Sequence, residues 1–530
     1  MRLLRPLPLD FGPYFETLAD RGCPTTVRLS RPLDLAPDRG CVWTIPQLAE
    51  LVREMSGVLA AAKVRPGDRV AIHKTNHWDY ALLAAATARI GAVPALLSGG
   101  LPPEALGVLL ARLRPELLLS DRATLALAAD RPAVRTLCLD GAAPGCTDLA
   151  DLLGGAVPAV HRRTDDQPLV IMHTSGTTGV PKLVVHSTRS LVRRITGFEA
   201  RRWPVVSVRP EDTAASAVSF AHGRAVSWTI SAFWGRPRTA LLLADSGPAA
   251  VQLLREHPPT LMEALPATYQ QWQSLAAGPD GPFTAMRLFI STFDAVHPPT
   301  VRTFLQASSR RHPVWLQGWG QSETGPLSFR FLTRRSLARH EERHPTTRDL
   351  GRPVPGWVGL RVVDPVTGRP LPRGRVGLLQ ARVPGLCQGY VGEPERWAAK
   401  LDGRWFSTGD TGLRTRTGRV RLLDREVDMM PGGSCVELED VLHDRLPEVE
   451  EAVVLAAGPG RSAVPLLVTR DGLLDPGRWQ HAVRDLPPLT DPVLVGPEAL
   501  PRTGTGKVRR HLLHDRYLAG AARYGSGRWT

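Results

Sequence analysis

The sequence predicts an α/β protein: a large N-terminal part of parallel-sheet α/β subdomains with a small β-rich subdomain, followed by a small α+β C-terminal domain. Apolar segments of helical and strand character alternate from about residue 43, and glycine, proline and short strands dominate beyond about residue 350. A helix, further strands and a glycine- and threonine-rich loop that ends in a lysine follow residue 424. We therefore place the N-terminal domain at 1–423, its β-rich subdomain at about 350–423, and the C-terminal domain at 424–530.

The first helices and strands have the clearest patterns. Residues 45–63 carry apolar side chains at helical spacing, and a Pro-Gly turn leads into an apolar strand at 69–72. A helix rich in alanine and leucine at 80–89 stops at Gly91, a candidate C-cap, and a strand follows at 92–97. Such alternation indicates parallel sheets. Later strands are predicted at 288–291, 314–317, 356–363, 376–381 and 418–423.

The bulk composition is typical of a globular protein with two or three domains. Of the 530 residues, 43% are hydrophobic and 22% are charged. We find no apolar run of the roughly 18 residues that a transmembrane helix needs, and prolines break the apolar N-terminus, unlike a signal peptide. The six cysteines lack paired spacing, which favours reduced thiols. We expect a cytoplasmic protein that has no membrane partner.

The net charge of +15 raises the possibility of a nucleic-acid partner. The arginines, however, are scattered, and the densest spots are doublets rather than a continuous basic stripe. Acidic residues are interspersed through most of the chain. We therefore expect no nucleic-acid partner, and we interpret the surface as one that attracts polyanionic cofactors.

Lysine is rare in this chain, and two lysines end loops rich in glycine and threonine. Arginine supplies 61 of the 66 basic residues, and lysine only five. One loop runs Thr174-Ser-Gly-Thr-Thr-Gly-Val-Pro-Lys182, and the other runs Pro501-Arg-Thr-Gly-Thr-Gly-Lys507. Glycine lets backbone amides approach an anion, hydroxyls add donors, and an ammonium is a point charge that a planar guanidinium does not replace. Both are candidate phosphate loops, although the Walker A pattern is absent.

These loops and four further segments resemble the adenylate-forming superfamily, which includes acyl-CoA synthetases, adenylation domains of peptide synthetases and luciferases. The resemblance covers nearly the whole chain, and the segments come in the family's order. They are residues 43–97, 174–182, Gly318-Trp-Gly-Gln-Ser-Glu-Thr324, Trp405-Phe-Ser-Thr-Gly-Asp410, Asp424-Arg-Glu-Val-Asp428 with Gly432-Gly433, and 501–507. The resemblance implies that a carboxylate attacks the α-phosphate of ATP and expels pyrophosphate.

The resemblance also implies nucleotide-binding roles. The first loop would hold the β- and γ-phosphates, Trp319 would stack beside the adenine, and Glu323 would help to bind Mg2+, which prefers oxygen ligands. The implied nucleotide-binding residues of these two segments are Thr174, Ser175, Gly176, Thr177, Thr178, Gly179, Lys182, Trp319, Gly320, Gln321 and Ser322.

Further roles follow from the remaining matches. Asp410 would accept hydrogen bonds from the ribose hydroxyls, Arg425 would reach the ribose or phosphates, and Lys507 would bridge the attacking carboxylate and the α-phosphate. His222 lies where acyl-CoA synthetases often carry an aromatic-His-Gly stretch. We assign Lys507, Glu323 and His222 as catalytic. Each assignment has an ordinary alternative. Glu323 and Asp410 would be solvated loop acids, and Arg425 would pair with a neighbouring acid. Lys507 would be a mobile surface lysine, and His222 a packed or surface histidine.

Three places depart from the family's pattern. Relatives often have a Ser-Gly-Gly-Ala-like stretch where this chain has Ser291-Thr-Phe-Asp-Ala295. There Phe293 and Asp294 would shorten the acyl pocket, recognise a polar group, or represent ordinary variation. Val427 replaces the usual Asp or Lys near the hinge. The segment at 434–439 is a few residues shorter than usual, which puts the second half-reaction in doubt more than adenylation.

We predict ATP-dependent activation of a small-molecule carboxylic acid as acyl-AMP with Mg2+, followed by acyl transfer to CoA. Two alternatives keep adenylation but use a carrier-protein thiol or an amine as the acceptor. A different class is a catalytically inactive protein that binds nucleotide or acyl-AMP. Trp228, Phe233 and Trp234 indicate either an aromatic-lined pocket or core packing. The scarcity of lysine and the single asparagine, Asn76, indicate a bias toward GC-rich codons, which favours a role in secondary metabolism.

Overall fold

The computed structural model describes residues 9–127, 134–174, 181–338, 348–425, 434–458, 461–503 and 506–518. Its strands are β1 (Thr26–Leu29), β2 (Val42–Thr44), β3 (Arg69–Lys74), β4 (Val93–Ser98), β5 (Leu117–Ser120), β6 (Thr136–Cys138), β7 (Thr147–Asp148), β8 (Pro168–His173), β9 (Leu183–Ser187), β10 (Thr213–Ala217), β11 (Thr239–Leu242), β12 (Leu261–Ala264), β13 (Leu288–Ser291), β14 (Val314–Gln321), β15 (Gly325–Leu332), β16 (Arg352–Pro353), β17 (Gly359–Val363), β18 (Gly377–Arg382), β19 (Gly389–Tyr390), β20 (Leu401–Asp402), β21 (Trp405–Arg414), β22 (Val420–Arg425), β23 (Val449–Leu455), β24 (Val464–Thr469) and β25 (Val493–Leu494).

The helices connect and cover these strands. They are α1 (Tyr14–Asp20), α2 (Ile45–Ala61), α3 (Asp79–Arg89), α4 (Pro103–Leu113), α5 (Arg122–Leu127), α6 (Gly197–Glu199), α7 (Gly223–Trp234), α8 (Pro248–Glu256), α9 (Pro266–Gln271), α10 (Gln273–Ala277), α11 (Pro298–Ala307), α12 (Arg334–Ala338), α13 (Pro394–Ala398), α14 (Cys435–Arg445), α15 (Pro476–Val483) and α16 (Arg510–Tyr517). A π-helical segment, Thr188–Thr196, precedes α6. No helix of the described residues is both long and apolar enough to cross a bilayer.

Local sequence explains where these elements begin and end. Thr44 and Gln47 form a reciprocal capping box at the start of α2, which ends two residues before the predicted limit. Gly91 follows α3 with a φ of +88°, a left-handed conformation that glycine adopts without a Cβ clash. The predicted strands after both helices are present as β3 and β4, which pair in parallel.

Two large sheets form the N-terminal part. The first has nine strands in the order β16-β15-β14-β13-β12-β10-β11-β1-β2, and the second has eight in the order β19-β9-β8-β4-β3-β5-β6-β7. Their central neighbours are parallel, and antiparallel pairs lie toward the edges. A buried apolar cluster joins the sheets through α1, α2, α3 and α7. The predicted α/β class is confirmed.

The later part of the chain forms smaller sheets. Strands β17, β18, β21, β20 and β22 make a five-stranded sheet, which is the predicted β-rich region. Strands β23, β24 and β25 form a three-stranded sheet with α14, α15 and α16 around it. The domain limits at 423 and 424 stay predictions, since β22 runs to Arg425 across them.

The C-terminal helix α14 docks against α11 of the larger part. His297 Nδ1 lies 2.8 Å from Asp440 Oδ1, and the His297 ring stacks on His443 with centroids 4.0 Å apart. One turn further along, Arg302 Nη2 lies 2.6 Å from Asp444 Oδ1. These polar contacts hold the C-terminal part in one orientation over the sheet.

Candidate functional site

A cleft of about 860 Å³ lies along β12, β13 and β14 and beyond their carboxyl ends. In sheets of this type the loops beyond these strand ends usually form the ligand site. Residues of both large sheets, the β-rich region and the C-terminal part all line the cleft. It is large enough for a nucleotide together with a second small molecule, since ligand pockets are usually about 300–1,000 Å³.

Lys182 and Glu323 meet in this cleft as an ion pair. Lys182 Nζ donates to Glu323 Oε1 at 3.0 Å and to the Tyr390 hydroxyl at 3.2 Å, and Tyr390 in turn donates to the same carboxylate oxygen at 2.8 Å. The ammonium also lies 4.7 Å from the centre of the Tyr390 ring. Two of the predicted residues are thereby brought together, and the tyrosine completes the network.

Glu323 is buried, with 4% of its surface exposed. Burial alone would raise the pKa of its carboxyl, but the Lys182 ammonium and the Tyr390 hydroxyl outweigh burial and hold that pKa below its usual value. Burial raises the pKa of Tyr390, so the phenol keeps its proton. The described residues contain no group of three His, Cys, Asp or Glu side chains that could hold a metal ion. A metal here would therefore rely on Glu323 and the oxygens of a bound phosphate, a donor set that fits Mg2+.

The aromatic segment and Asp410 are joined by a glutamine. Gln321 Nε2 donates to Asp410 Oδ2 at 3.0 Å and to the Thr408 carbonyl at 2.8 Å. Trp319 and Gly320 line the same cleft, and Trp319 packs partly against the core of the β-rich sheet. Asp410 pairs in backbone register with Arg425, whose side chain lies outside the described part. Asp410 is thus fixed close to the cleft, although it is 5% exposed.

His222 is held in its neutral form. Its Nδ1 accepts a hydrogen bond from the Arg224 amide at 3.0 Å and caps α7, which leaves Nε2 to donate to Ser322 Oγ at 3.0 Å. Burial, and then the charges of His173 and Lys507, lower the pKa of His222 to about 3. His222 is therefore an uncharged hydrogen-bonding group of the cleft at neutral pH, and its predicted catalytic role stays a prediction.

The two lysine loops reach the same cleft. Thr174 and Lys182 both line it, and the Thr174 amide donates to the Lys182 carbonyl at 2.9 Å across the base of the first loop. Lys507 of the second loop lines it from the C-terminal side. Ser175, Gly176, Thr177, Thr178 and Gly179, together with Val427, lie outside the described residues, so their predicted roles stay predictions.

Beyond His222 the cleft contains a second polar cluster, which sequence reasoning did not identify. Arg224 Nε and Nη2 each lie 2.7 Å from one oxygen of Glu263, and its Nη1 contacts Glu199. Thr292 Oγ1 donates to Glu263 Oε1 at 3.2 Å. Arg224 lies in α7, Glu199 in α6 and Glu263 in β12. Glu199 is 25 residues from Arg224 along the chain, and Glu263 is 39 residues from it. No local pattern connects them, so only the fold could find this cluster.

Aromatic side chains line the same cleft as this cluster. Phe198, Trp203 and Trp228 line the cleft. Of the three predicted aromatic residues, Trp228 alone does so. Phe233 stacks on Trp78 in the core with ring centroids 5.7 Å apart, and Trp234 packs beneath Arg21. Trp228 therefore fits the interpretation of an aromatic-lined pocket, whereas Phe233 fits the interpretation of core packing.

Phe293 lines the cleft beside His222. It has a φ of +79°, which is rare for a bulky side chain. Its ring meets that of His222 edge to face with centroids 4.8 Å apart. The family resemblance implies a glycine-rich stretch in this region, and glycine adopts a φ of this sign without a Cβ clash. The departure from the family pattern therefore places an aromatic ring inside the site at the expense of local strain.

Tyr390 and His186 were also missed by sequence reasoning. His186 Nε2 lies 2.7 Å from the Ser322 carbonyl and supports the aromatic segment from below. It is four residues after Lys182, so strand periodicity would have placed both on one face of β9. Tyr390 lies in a two-residue strand among glycines, where no periodic pattern could single it out.

Comparison with known proteins adds a family to this geometry. The profile of the AMP-binding enzymes matches residues 22–391. A 3-amino-2-hydroxy-4-methoxybenzoate diazotase from Streptomyces cremeus is 38% identical over 94% of this chain and 94% of its own length. An anthranilate–CoA ligase from Pseudomonas aeruginosa is 28% identical over 92% of this chain and 95% of its own. ATP-bound MatB from Rhodopseudomonas palustris has the same fold, with a TM-score of 0.76 at 23% identity over 97% of this chain and 100% of that chain.

Proposed function

The chain belongs to the AMP-binding enzyme family, and we propose that it adenylates nitrite with ATP and passes the nitrosyl group to the amine of an aminobenzoate. This reaction is a diazotisation. The observation that carries the proposal is the relative named a diazotase, which is 38% identical over 94% of both chains. Family membership confirms the predicted adenylate-forming ligase, whereas CoA as the acceptor stays a prediction.

The chemistry suits an adenylate-forming site because nitrite, like a carboxylate, is a bent anion with two oxygens. One nitrite oxygen attacks the α-phosphorus of ATP, pyrophosphate leaves, and a nitrosyl–AMP anhydride forms. The amine nitrogen then attacks the nitrosyl nitrogen, the bond from that nitrogen to the adenylate oxygen breaks, and AMP leaves. The resulting N-nitroso amine loses its oxygen as water and becomes a diazonium. Nitrite supplies the oxidising equivalents, so no further oxidant is needed.

The residues of the cleft support the first step. Lys507 would neutralise charge between nitrite and the α-phosphate, and Lys182 would bind the outer phosphates. Asp410, held by Gln321, would accept hydrogen bonds from the ribose. Mg2+ bound through Glu323 would neutralise phosphate charge.

A direct experiment follows the nitrogen atoms. The enzyme is incubated with Mg-ATP, a pool of aminobenzoates, and nitrite carrying a heavy nitrogen isotope, with and without CoA. We expect pyrophosphate release that needs nitrite, and a diazonium product that contains one labelled nitrogen whether or not CoA is present. If pyrophosphate is released at the same rate with and without nitrite, the proposal is overturned.

The predicted acyl-CoA synthesis is the second candidate, favoured by the match to an anthranilate–CoA ligase over 92% of this chain. In that case the aminobenzoate carboxylate, not nitrite, would attack ATP. The same incubation distinguishes the two, since an acyl-CoA mass would form without nitrite and vanish without CoA. The segment at 434–439, which is shorter than the family resemblance leads us to expect, weighs against CoA. In the structure Ser434 caps α14 there, with its Oγ accepting from the Glu437 amide at 3.2 Å.

A further inference from the structure

The polar cluster at the far end of the cleft contains one more negative charge than positive charge. Arg224 makes two parallel hydrogen bonds to Glu263, which is fully buried and also accepts from Thr292. This bidentate pair is balanced in charge. Glu199 is a second carboxylate on the same guanidinium, so the cluster carries a net charge of −1 when both acids are ionised.

Glu199 is positioned to meet a ligand. Its side chain keeps 16% of its surface exposed, and that surface belongs to the cleft. The neighbouring walls are aromatic, formed by Phe198, Trp203 and Trp228. Burial, only partly offset by Arg224, raises the pKa of Glu199. A surplus carboxylate in such surroundings is stabilised by taking a proton or by a partner that donates one.

Arg224 is poorly placed to bind the carboxylate of a substrate. Its three guanidinium nitrogens are already engaged by Glu263, Glu199 and the Ser227 hydroxyl, which lies 3.2 Å from Nη1. An anionic group at this end of the cleft would also be repelled by the surplus carboxylate. A neutral amine on an aromatic ring suits both the charge and the walls.

We infer that Glu199 is the residue that selects the amine: it accepts a hydrogen bond from the aryl N–H and receives the proton that leaves when the N–N bond forms. This inference rests on the proposed function and names its acceptor site. In the step, the amine nitrogen bonds to the nitrosyl nitrogen, AMP leaves with the electron pair of the broken bond, and the amine proton passes to the Glu199 carboxylate. That proton is then available to the oxygen that departs as water.

Binding without catalysis tests the inference. In the presence of AMP, quenching of the fluorescence of tryptophans, of which Trp203 and Trp228 line the cleft, gives dissociation constants for 3-aminobenzoate and benzoate. We expect the wild type to bind the amino compound about tenfold more tightly, as a hydrogen bond to a charged group implies. Glu199→Gln should bring the ratio close to one. The matched control is Glu50→Gln, whose side chain is 66% exposed on α2 and should keep the wild-type ratio.

Each outcome decides. An unchanged ratio in Glu199→Gln, or equal weakening of both ligands, overturns the inference, because the first excludes the contact and the second is a structural effect. Glu199→Asp keeps the charge and should restore part of the selectivity, which also covers poor folding of the Gln variant. Failure of the proposed function would appear differently: wild-type enzyme would release no pyrophosphate with nitrite, while the binding ratio is measured without ATP or nitrite.

Discussion

The two ends of the cleft are built on opposite charge arrangements. One end, which we call the adenylate end after its proposed role, contains Lys182 and Glu323. These two residues form a one-to-one ion pair that Tyr390 completes. At the far end Arg224 faces two carboxylates. The Lys182–Glu323 pair is therefore neutral until an anion and a cation arrive together, whereas the far-end cluster has a surplus carboxylate that a proton donor would stabilise. A polyanionic nucleotide suits the first arrangement and an amine suits the second.

The ends also differ in how the chain encodes them. The adenylate end is made of short contiguous loops, because a phosphate must be contacted by several neighbouring amides and one cation. The far end is assembled from α6, α7, β12 and the loop after β13. This difference teaches that much of the adenylate end can be read from local sequence strings, while the far-end cluster depends on packing between distant segments.

The largest effect is expected from breaking the far end. Arg224→Met removes the cation and leaves Glu199 and Glu263 without their partner, so we expect the free energy of unfolding to fall by about 3–5 kcal/mol. Urea unfolding measures it. Arg39→Met is the control, since Arg39 and Glu54 pair at the exposed surface and such pairs contribute about 0–1 kcal/mol.

The combined variant with Arg224→Met, Glu199→Gln and Glu263→Gln sharpens this test. Removing all three charges should recover most of the lost stability, because no uncompensated carboxylate remains buried. If Arg224→Met destabilises no more than Arg39→Met, the far end does not hold surplus negative charge.

The adenylate end should respond in rate rather than in stability. Lys507→Ala is expected to slow ATP–pyrophosphate exchange about 100–1000-fold, or about 2.7–4 kcal/mol, because the developing charge at the α-phosphate loses a donor. Lys63→Ala, another of the five lysines and exposed after α2, should leave the exchange rate as in the wild type. A loss below about fivefold would remove Lys507 from the assigned catalytic role.

Phe293 lines the cleft beside His222, and its backbone torsion can be tested alone. At a φ of +79° glycine has no Cβ penalty, whereas alanine pays about 1–2 kcal/mol. We therefore expect Phe293→Gly to be more stable than Phe293→Ala by this amount, measured by urea unfolding. Equal stability of the two variants would show that the chain at 293 relaxes out of the left-handed region.

The smallest effect concerns the contact that positions the second lysine loop. Asp440 outweighs burial and raises the pKa of His297. A raised pKa means that the stabilisation is fully present below the ordinary histidine pKa and is lost as pH rises through the raised value. The stability difference between wild type and His297→Asn should be about 1 kcal/mol at low pH and shrink toward high pH. A difference independent of pH would assign the contact to packing with His443.

The sequence predicted the fold class and the adenylate end because both depend on local patterns. Alternating helices and strands gave the parallel sheets, and the loop strings placed Lys182, Glu323 and Lys507 at one cleft. The rarity of lysine was a less general indicator of phosphate-binding positions. Lys74 is fully buried, with its Nζ 2.9 Å from Asp79 Oδ1 and close to Asp34, so this lysine has a structural position.

The far end escaped prediction for a physical reason. Glu199, Arg224 and Glu263 read individually as ordinary charged residues, and their meaning comes from a shared buried volume. The departure at Phe293 was visible in the sequence, but its torsion and its contact with His222 were not. Charge balance inside a cavity is a property of three-dimensional packing, and no spacing rule reports it.

The pairing of Lys182 with Glu323 has a thermodynamic consequence for ligand order. A phosphate that draws the ammonium away leaves the carboxylate without its counter-ion, and a cation that occupies the carboxylate leaves the ammonium unmatched. Each ligand alone therefore works against the resident ion pair, and the two together replace it. Because linkage is reciprocal, nucleotide and divalent cation should each tighten the other's binding by the same factor. Under the proposed function, the cleft would thus bind the metal–nucleotide complex as one ligand.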